Sequence, residues 1–482
     1  MVSLVENLLT KFLKLMSKEI SESDLELVPL GRSLGLDLIS FSELRASQED
    51  EFIDCVRKKA LKRLSKRNDN VVNNNYSFYA GSIDFMVNSD PKKKKFYLLE
   101  TNGGSNRGLS ILTKKQQSLL YDGYYEAISQ AINKNGREHR KILVLVGVPI
   151  NDGLIHEKVI MVEYLRKRIK SDGYSLKIFN FDNYDKEHKA KVVFIIADYG
   201  QLRQALSFSD SWIMFLNEPV NVLIGDGIAR RFHNKRFDEL VCKDFRQINT
   251  IIVNPIFRIT DDKSLTYIAS FLRKNTLKKY NLKYLRFTKA FTEEELILKA
   301  SKLISKYEKS YIIKPSGGSG GAGVIQILKS ENGKGIKKIL DLSTEEFYNK
   351  FSRNRVPFPY TIQEKADFSL IDWEGEKHTF DLRIYLVQSA NKIIPIGGLA
   401  RIARGGFIKG LEKQEFVVNL SGFDGKIEVH RGVGFSEKNS KLLGLKLKDF
   451  VNVFCIGCVI FKSIIENYNK IVEFSDWDDF FG

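Results

Sequence analysis

Residues Tyr311 to Leu328 read YIIKPSGGSGGAGVIQIL, a glycine-rich loop held between two apolar runs of β type. Gly317, Gly318, Gly320, Gly321 and Gly323 let the backbone take positive φ and approach an anion with no side chain in the way. Lys314 arrives from the preceding strand as a candidate phosphate contact, and Ser319 sits within the loop. A Rossmann fingerprint or a Walker loop is followed at once by a helix whose N-terminus holds phosphate, and the Walker loop ends in Gly-Lys-Ser/Thr. Here Val324 to Leu328 reads as a second strand, so the expectation is a mobile hairpin over nucleotide phosphates. A flexible hairpin with no ligand is the competing reading.

Oxygen donors of metal-binding type lie far upstream. Asp84 sits near the end of one strand, while Glu100 and Asn102 alternate about Thr101 and so share a strand face. Mg²⁺ takes a few carboxylate and amide oxygens and completes its octahedron with water and phosphate, the set these three supply. Cations cluster downstream: Asp381 and Arg383 share a strand face in FDLRIY, and Arg401 and Arg404 follow the Gly397-Gly398 break. Guanidinium forks hold phosphate or carboxylate oxygens bidentately and neutralise charge that builds during phosphoryl transfer. Each set also has a plain structural reading: surface polarity for the acidic one, an ion pair of Asp381 with an arginine for the basic one.

Apolar periodicity supplies the elements that must carry these residues. Asp50 to Arg67 reads as an amphipathic helix, Tyr76 to Asn88 and Lys95 to Thr101 as strands joined at Ser89-Asp90-Pro91, and Thr113 to Asn133 as a helix. From Lys141, a strand in ILVLVGVP, a helix over Glu157 to Lys170, and strands over Ser175 to Phe181 and Lys191 to Ala197 imply a small parallel α/β domain. Trp212 to Leu216 and Thr250 to Val253 are candidate strands at its edge. Helices over Ser264 to Lys274 and Thr292 to Glu308 precede the glycine hairpin; Pro359 to Gln363, Leu382 to Ser389 and Lys392 to Ile396 follow it as strands.

A chain of 482 residues, 43% hydrophobic and 28% charged, can bury the cores of two or three domains. No run of about 18 uncharged apolar residues occurs, and Glu6, Lys11 and Lys14 interrupt the N-terminal apolar pattern, so a cytoplasmic protein with no membrane partner is expected. Cys455 and Cys458 lie in VFCIGCVIF as buried thiols, since no second Cys/His pair completes a zinc site. Net charge is +17, which favours anionic partners. The basic residues are scattered apart from Lys92 to Lys95 and Arg57 to Arg67, runs read as solvated surface; with no aromatic-rich basic motif, nucleic acid is not expected.

Taken together these segments resemble the ATP-grasp superfamily, and their order resembles its circularly permuted branch, which includes glutathionylspermidine synthetases and eukaryotic glutathione synthetases. LLETNGG precedes IIKPSGGSGGAGV by about two hundred residues, whereas in ordinary members the Glu-x-Asn strand comes last. YTIQEKADFS, FDLRIYLV, IPIGGLARIAR and FVVNLSG follow in the order of that branch. The resemblance covers residues 80 to 425 and implies an α/β fold in three parts. Residues 1–140 would carry N-terminal helices and the metal-binding strands, 141–252 a Rossmann-like pre-ATP-grasp domain, and 253–482 the nucleotide-binding region with the flap.

The resemblance also implies roles. Lys314 and the loop Gly317, Gly318, Ser319, Gly320 and Gly321 would hold ATP phosphates, with Lys263 as a further phosphate contact and Lys235 and Lys289 as its rivals. Gln363, Glu364, Lys365 and Ala366 would form the hinge that reads adenine through backbone groups, with Asp367 on the ribose and Asp381 nearby. Asp84, Glu100 and Asn102 would bind Mg²⁺, and Arg383, Arg401 and Asn419 would hold the transferring phosphoryl group or an acyl phosphate. His378 is taken as structural. The implied reaction joins a carboxylate to an amine at the cost of ATP, and a homodimer is a candidate assembly. The family stretch Asn-Ser-Ser-Gln-Gly-Gly-Gly is here Asn419-Leu420-Ser421-Gly422-Phe423, a departure that falls on the acceptor half of the site. The rival from another class is a catalytically silent ATP-binding protein, regulatory or associated with nucleic acid.

Overall fold

The computed structural model describes residues 47–477 apart from 74–77, 91, 104–107, 110–111, 136–140, 149–153, 183, 226–239, 241–243, 319, 352–355, 410–411, 419 and 421–427. Along the chain, β1 (Ala80–Val87) and β2 (Phe96–Asn102) pair antiparallel and lead into a helix, Lys114–Asn135. β3 (Ile142–Val148), a helix at Leu154–Ser171, β4 (Leu176–Asn180) and β5 (Val192–Asp198) alternate next. Short strands β6 (Leu206–Ser209), β7 (Trp212–Phe215) and β8 (Glu218–Pro219) follow, then β9 (Val222–Ile224) and β10 (Ile251–Val253). The last third carries β11 (Phe287–Ala290), β12 (Tyr311–Pro315), β13 (Ile325–Ile327), β14 (Tyr360–Glu364), β15 (Leu370–Trp373), β16 (Glu376–Ser389), β17 (Lys392–Ile402) and β18 (Gly432–Gly434).

These strands build four sheets. The central sheet runs β18-β17-β16-β1-β2, with β15 also paired to β16, so it joins residues 80–102 to residues 370–434. A parallel sheet runs β10-β9-β3-β5-β4, the flap sheet runs β11-β14-β12-β13, and β6-β7-β8 stand alone. All seven residues of β3 are buried, as a parallel strand covered on both faces requires. Period-2 alternation divides them: Ile142, Val144, Val146 and Val148 join one core with Leu165 and Ile128, whereas Leu143 and Leu145 join another with Ile195 and Phe215.

The central sheet uses the same alternation to separate chemistry from packing. Ile83, Phe85, Leu382, Ile384 and Ile402 pack with Phe450, Phe454 and Phe461 of the helix Leu447–Glu466. Each such side chain, fully buried, stabilises by about 1.5–3 kcal/mol. Cys455 and Cys458 lie on this helix, and burial pushes the Cys455 thiol up to about 12, as unreactive groups. The opposite face carries Asp84, Glu100, Asn102, Asp381, Arg383 and Arg401, aligned by the register Asp84↔Arg383, Asp84↔Glu100 and Asp381↔Arg401.

One expectation needs correction, and one strand went unread. Trp212 to Leu216 does not extend the parallel sheet; Trp212–Phe215 hairpins with β6 and β8. The inner strand beside β3 is the three-residue Val222–Ile224, too short to announce itself by pattern. Among the described residues, no helix is long and apolar enough to cross a membrane.

Candidate functional site

The polar face of the central sheet holds a buried charge quartet. Asp84, 1% exposed, accepts from Arg383 Nε at 2.8 Å on Oδ1 and from Arg383 Nη2 at 2.6 Å and Arg401 Nη2 at 2.8 Å on Oδ2. Arg401 Nε also donates to Asp381 Oδ1 at 2.8 Å, and its Nη2 bonds the other Asp381 oxygen. Two aspartates and two arginines cancel in charge, which is how four ionised groups survive burial. Burial pushes the Asp84 carboxyl up, but Arg383 and Arg401 outweigh it and hold Asp84 at about 2. Asp381, with one direct arginine partner, is pushed up to about 6 by burial. Its pair with Arg401 is the structural reading given to that motif at the outset.

Beside the quartet, the helix Lys263–Phe271 bridges the flap sheet and the central sheet. Lys314 Nζ, on β12, donates to Gln363 Oε1 of β14 at 2.6 Å and to the Tyr267 hydroxyl at 3.1 Å. Tyr267 in turn donates to the Leu99 carbonyl of β2 at 2.5 Å, tying flap sheet to central sheet. Burial first, and then the charge of Lys263, pull the Lys314 ammonium down to about 7, with Glu100 acting in the opposite sense. Lys263 Nζ lies 3.5 Å from Glu100 Oε2, with side-chain exposures of 13% and 34%. Burial and the Glu100 charge push the Tyr267 phenol up, so it remains a donor.

Local rules explain how Lys263 comes to point here. Asp262 caps the helix Lys263–Phe271, accepting from the Ser264 N–H at 2.9 Å, and Lys289 Nζ braces the same carboxylate at 2.5 Å. Lys263 is then the first helical residue, one turn ahead of Tyr267 on the same face. Of the three candidate lysines, Lys263 faces Glu100, Lys289 is engaged with Asp262, and Lys235 lies outside the described residues.

The glycine loop connects β12 to β13 as an antiparallel hairpin, with Tyr311↔Ile327 and Ile313↔Ile325 in register. Gly320, Gly321 and Gly323 take φ of +61°, +76° and +70°, a region costly for any other residue. A Cβ on Gly321 would stand 2.5 Å from Val417 Cγ1. Glu346 of the helix Gly333–Phe351 accepts the Gly323 N–H at 3.2 Å and also pairs with Lys413. The flap tip is thereby packed against the segment that leads toward residue 419. At the flap's root the Ser316 hydroxyl is buried without a hydrogen-bond partner among the described residues, a polar atom that calls for one. Ser319 and Asn419 lie outside the described residues.

In the hinge segment, the Glu364 N–H bonds the Arg286 carbonyl at 2.7 Å and the Lys365 N–H bonds the Ser310 carbonyl at 2.9 Å. Those two donors are occupied by strand pairing, so an adenine ring can draw on Ala366 and on carbonyls but not on them. Ala366 packs on Met86, Tyr97 and Leu285, a small apolar cluster at the sheet edge. Asp367 accepts from the Tyr97 hydroxyl and lies 3.3 Å from Lys283 Nζ, its side chain 57% exposed.

Whether this set fits Mg²⁺ turns on Asp84. Both of its oxygens already accept from guanidinium groups, and two arginines beside it repel a dication, so it does not fit as a direct ligand in this arrangement. Glu100 and Asn102 do fit: Asn102 turns its Nδ2 toward Asp84 at 3.4 Å, leaving its amide oxygen on the other branch, and Glu100 is partly exposed. No cluster of three or more His, Cys, Asp or Glu side chains suited to a metal occurs among the described residues. His378 is buried and its Nδ1 is 3.0 Å from the Ala403 carbonyl. Tyr267 was not anticipated; its position one turn beyond Lys263 was the available signal.

No family model matches the sequence, and no curated protein matches it. Among solved structures the chain is similar to a "Putative gamma-glutamylcysteine synthetase" from Methylobacillus flagellatus KT, with 12% identity, a TM-score of 0.46, and coverage of 90% of this chain and 97% of that one. It is also similar to a glutathione synthetase-like effector (GSS30) from Globodera pallida, with 13% identity, a TM-score of 0.37, and coverage of 76% and 81%.

Proposed function

We propose that this chain is an ATP-dependent carboxylate–amine ligase that forms an amide or peptide bond through an acyl phosphate. The observation that carries the reading is that one helix turn joins the two sheets: Lys263 Nζ lies 3.5 Å from Glu100 of the central sheet, and Tyr267 accepts from Lys314 of the flap sheet while donating to the Leu99 carbonyl beside Glu100, with a glycine hairpin joined directly to the Lys314 strand. An acid and two lysines from distant parts of the chain are thereby brought together, which supports a magnesium-nucleotide site.

Lys314, Lys263 and the backbone N–H groups of Gly317 to Gly321 hold the phosphates, and the hinge from Gln363 to Asp367 takes the base and ribose. Glu100 and Asn102 would hold Mg²⁺, which would neutralise phosphate charge when bound; Asp84 orients Asn102 and the arginines. A substrate carboxylate oxygen attacks the γ-phosphorus, the bond to the β-phosphate oxygen breaks, and ADP leaves. The amine nitrogen then attacks the acyl carbon, the carbon–oxygen bond to phosphate breaks, and phosphate and a proton depart. Arg383, Arg401 and Asn419 hold the anionic groups through these steps, and positioning with fixed charge supplies the rate without a protein nucleophile. The α/β unit of residues 141–252 contributes to the acceptor pocket.

The test incubates the protein with ATP, Mg²⁺ and mixed amino acids or peptides and follows release of ADP and phosphate. Hydroxylamine added to the mixture traps an acyl phosphate as a hydroxamate. ATP binding without phosphate release from any carboxylate and amine pair would sink the ligase reading in favour of a silent nucleotide-binding protein.

A further inference from the structure

A second basic feature lies outside this cleft. The helix Asp50–Ser65 and the turn after it carry Arg57, Lys58, Lys59, Lys62, Arg63, Lys66 and Arg67, the run first read as solvated surface. Its last turn meets the end of the short helix Lys274–Lys278. Between them is a cavity of about 280 Å³ lined by Arg63, Lys66, Arg67, Lys279 and Tyr280. Four of five lining residues are cationic, and none is acidic.

Helix C-termini attract cations, which offers a structural account of the cluster. Each terminus carries roughly half a negative charge, so two supply about one against four full positive charges. Surface ion pairs do not make up the difference, because among the described residues no carboxylate lies within salt-bridge distance of these four. Asp69 accepts from the Tyr280 hydroxyl at 2.7 Å. One arm of the cavity is fixed in advance: Arg63 Nη1 donates to Asn452 Oδ1 at 2.5 Å, its Nη2 to the Lys279 carbonyl at 3.0 Å, and its guanidinium lies 4.7 Å above the Tyr280 ring. Such a braced arginine loses little freedom on meeting an anion.

We infer that this cavity binds a compact polyanion of two or three linked phosphate groups, at a site separate from the nucleotide cleft. Its volume falls just below the range for drug-sized small-molecule sites, which suits a short phosphate chain rather than a whole nucleotide. Four unneutralised cations around one hollow repel one another, and a multivalent anion relieves that repulsion at every contact. Solvent exposure makes the binding sensitive to salt.

The experiment titrates the full chain by calorimetry at low ionic strength, without Mg²⁺, using inorganic pyrophosphate and tripolyphosphate. Three proteins are compared: wild type, the double variant Lys66→Glu with Lys279→Glu, and Lys314→Met as a control in the nucleotide cleft. Both substituted lysines of the double variant are exposed, and thermal melts check that it folds. Expected is a binding event that is at least tenfold weaker in the double variant and is retained in Lys314→Met. Equal affinity in wild type and double variant overturns the proposal, as does binding lost only in Lys314→Met, which would move the anion to the nucleotide cleft. No binding of either anion to wild type at millimolar concentration overturns it too. So does single-stranded RNA that binds wild type, but not the double variant, when neither phosphate chain binds.

Discussion

At the scale of single residues, the site separates groups placed for stability from groups placed for chemistry. Glu100 is partly exposed beside Lys263, so Glu100→Gln is expected to abolish turnover while leaving ATP binding largely intact. The loss should be about a thousandfold, the several kcal/mol a correctly held cation supplies to a phosphoryl-transfer transition state; phosphate release and nucleotide titration measure the two halves. Asp84 is the contrasting case. Asp84→Asn leaves Arg383 and Arg401 with one buried carboxylate between them and should destabilise the fold by about 3–5 kcal/mol in urea denaturation. An unchanged denaturation midpoint would remove the quartet from the account of stability. The sequence showed Asp84 as an oxygen donor but could not show its neighbours: the arginine opposite it in register lies 299 residues away. Glu100 and Asn102, two residues apart, were legible as a same-face pair because strand periodicity is local.

Lys314 gives a pH signature whose sign follows from its burial. Unfolded, the side chain titrates near 10.4, and folded it titrates at about 7. Between those values the unfolded chain carries a proton the folded one lacks, so this group makes stability rise with pH, by at most about 1.4 kcal/mol per pH unit. Lys314→Met removes that contribution. The variant should be the more stable protein near pH 7, and its advantage should shrink as pH rises toward 10 in parallel chemical denaturation series. An advantage constant across that window would place the Lys314 ammonium in solvent.

At the scale of elements, the flap is the part most exposed to a single substitution. Gly321→Ala forces a side chain into the left-handed region and against Val417, so the hairpin cannot keep its present contact. A stability loss of about 1 kcal/mol and a rise of roughly tenfold in KM for ATP are expected. Adding Val417→Ala should recover part of the KM effect by relieving the contact while leaving the backbone strain; no recovery would place the flap tip elsewhere. The flanking strands were readable to within a residue or two, as were β2 and the helix Lys114–Asn135, because alternation or helical period marks each of them, whereas β1 begins at Ala80 rather than at Tyr76. The helix Leu447–Glu466 was not. Its central run is apolar on every side, so neither period stands out, and only burial between the central sheet and the helix Asp50–Ser65 explains it.

At the scale of the whole molecule, the apolar cores predict an order of opening. Tyr79, Tyr385 and Val387 of the central region share one core with Val144 and Val146 of the parallel sheet, so those two sheets should lose protection together. The flap sheet closes its own smaller core, built from Ala290, Leu303, Ile313, Ile336 and Ile362. In hydrogen exchange followed by mass spectrometry, peptides from 287–315 and 333–351 should exchange before those from 80–87 and 142–148. Simultaneous exchange of all four would mean a single cooperative unit. The parallel α/β arrangement was legible from strand–helix alternation, whereas the joining of residues 80–102 to residues 370–434 came only from resemblance, since nothing local in either segment specifies a partner so far along the chain.

The split origin of the central sheet also sets a timetable for synthesis. β1 leaves the ribosome about three hundred residues ahead of β16, its lateral partner. At roughly 5–20 residues per second, that is about 15–60 seconds during which a strand destined for the interior has one unpaired margin. During that interval Asp84 has neither of its arginines, and the nascent chain must shield both the margin and the acid with water or with a chaperone.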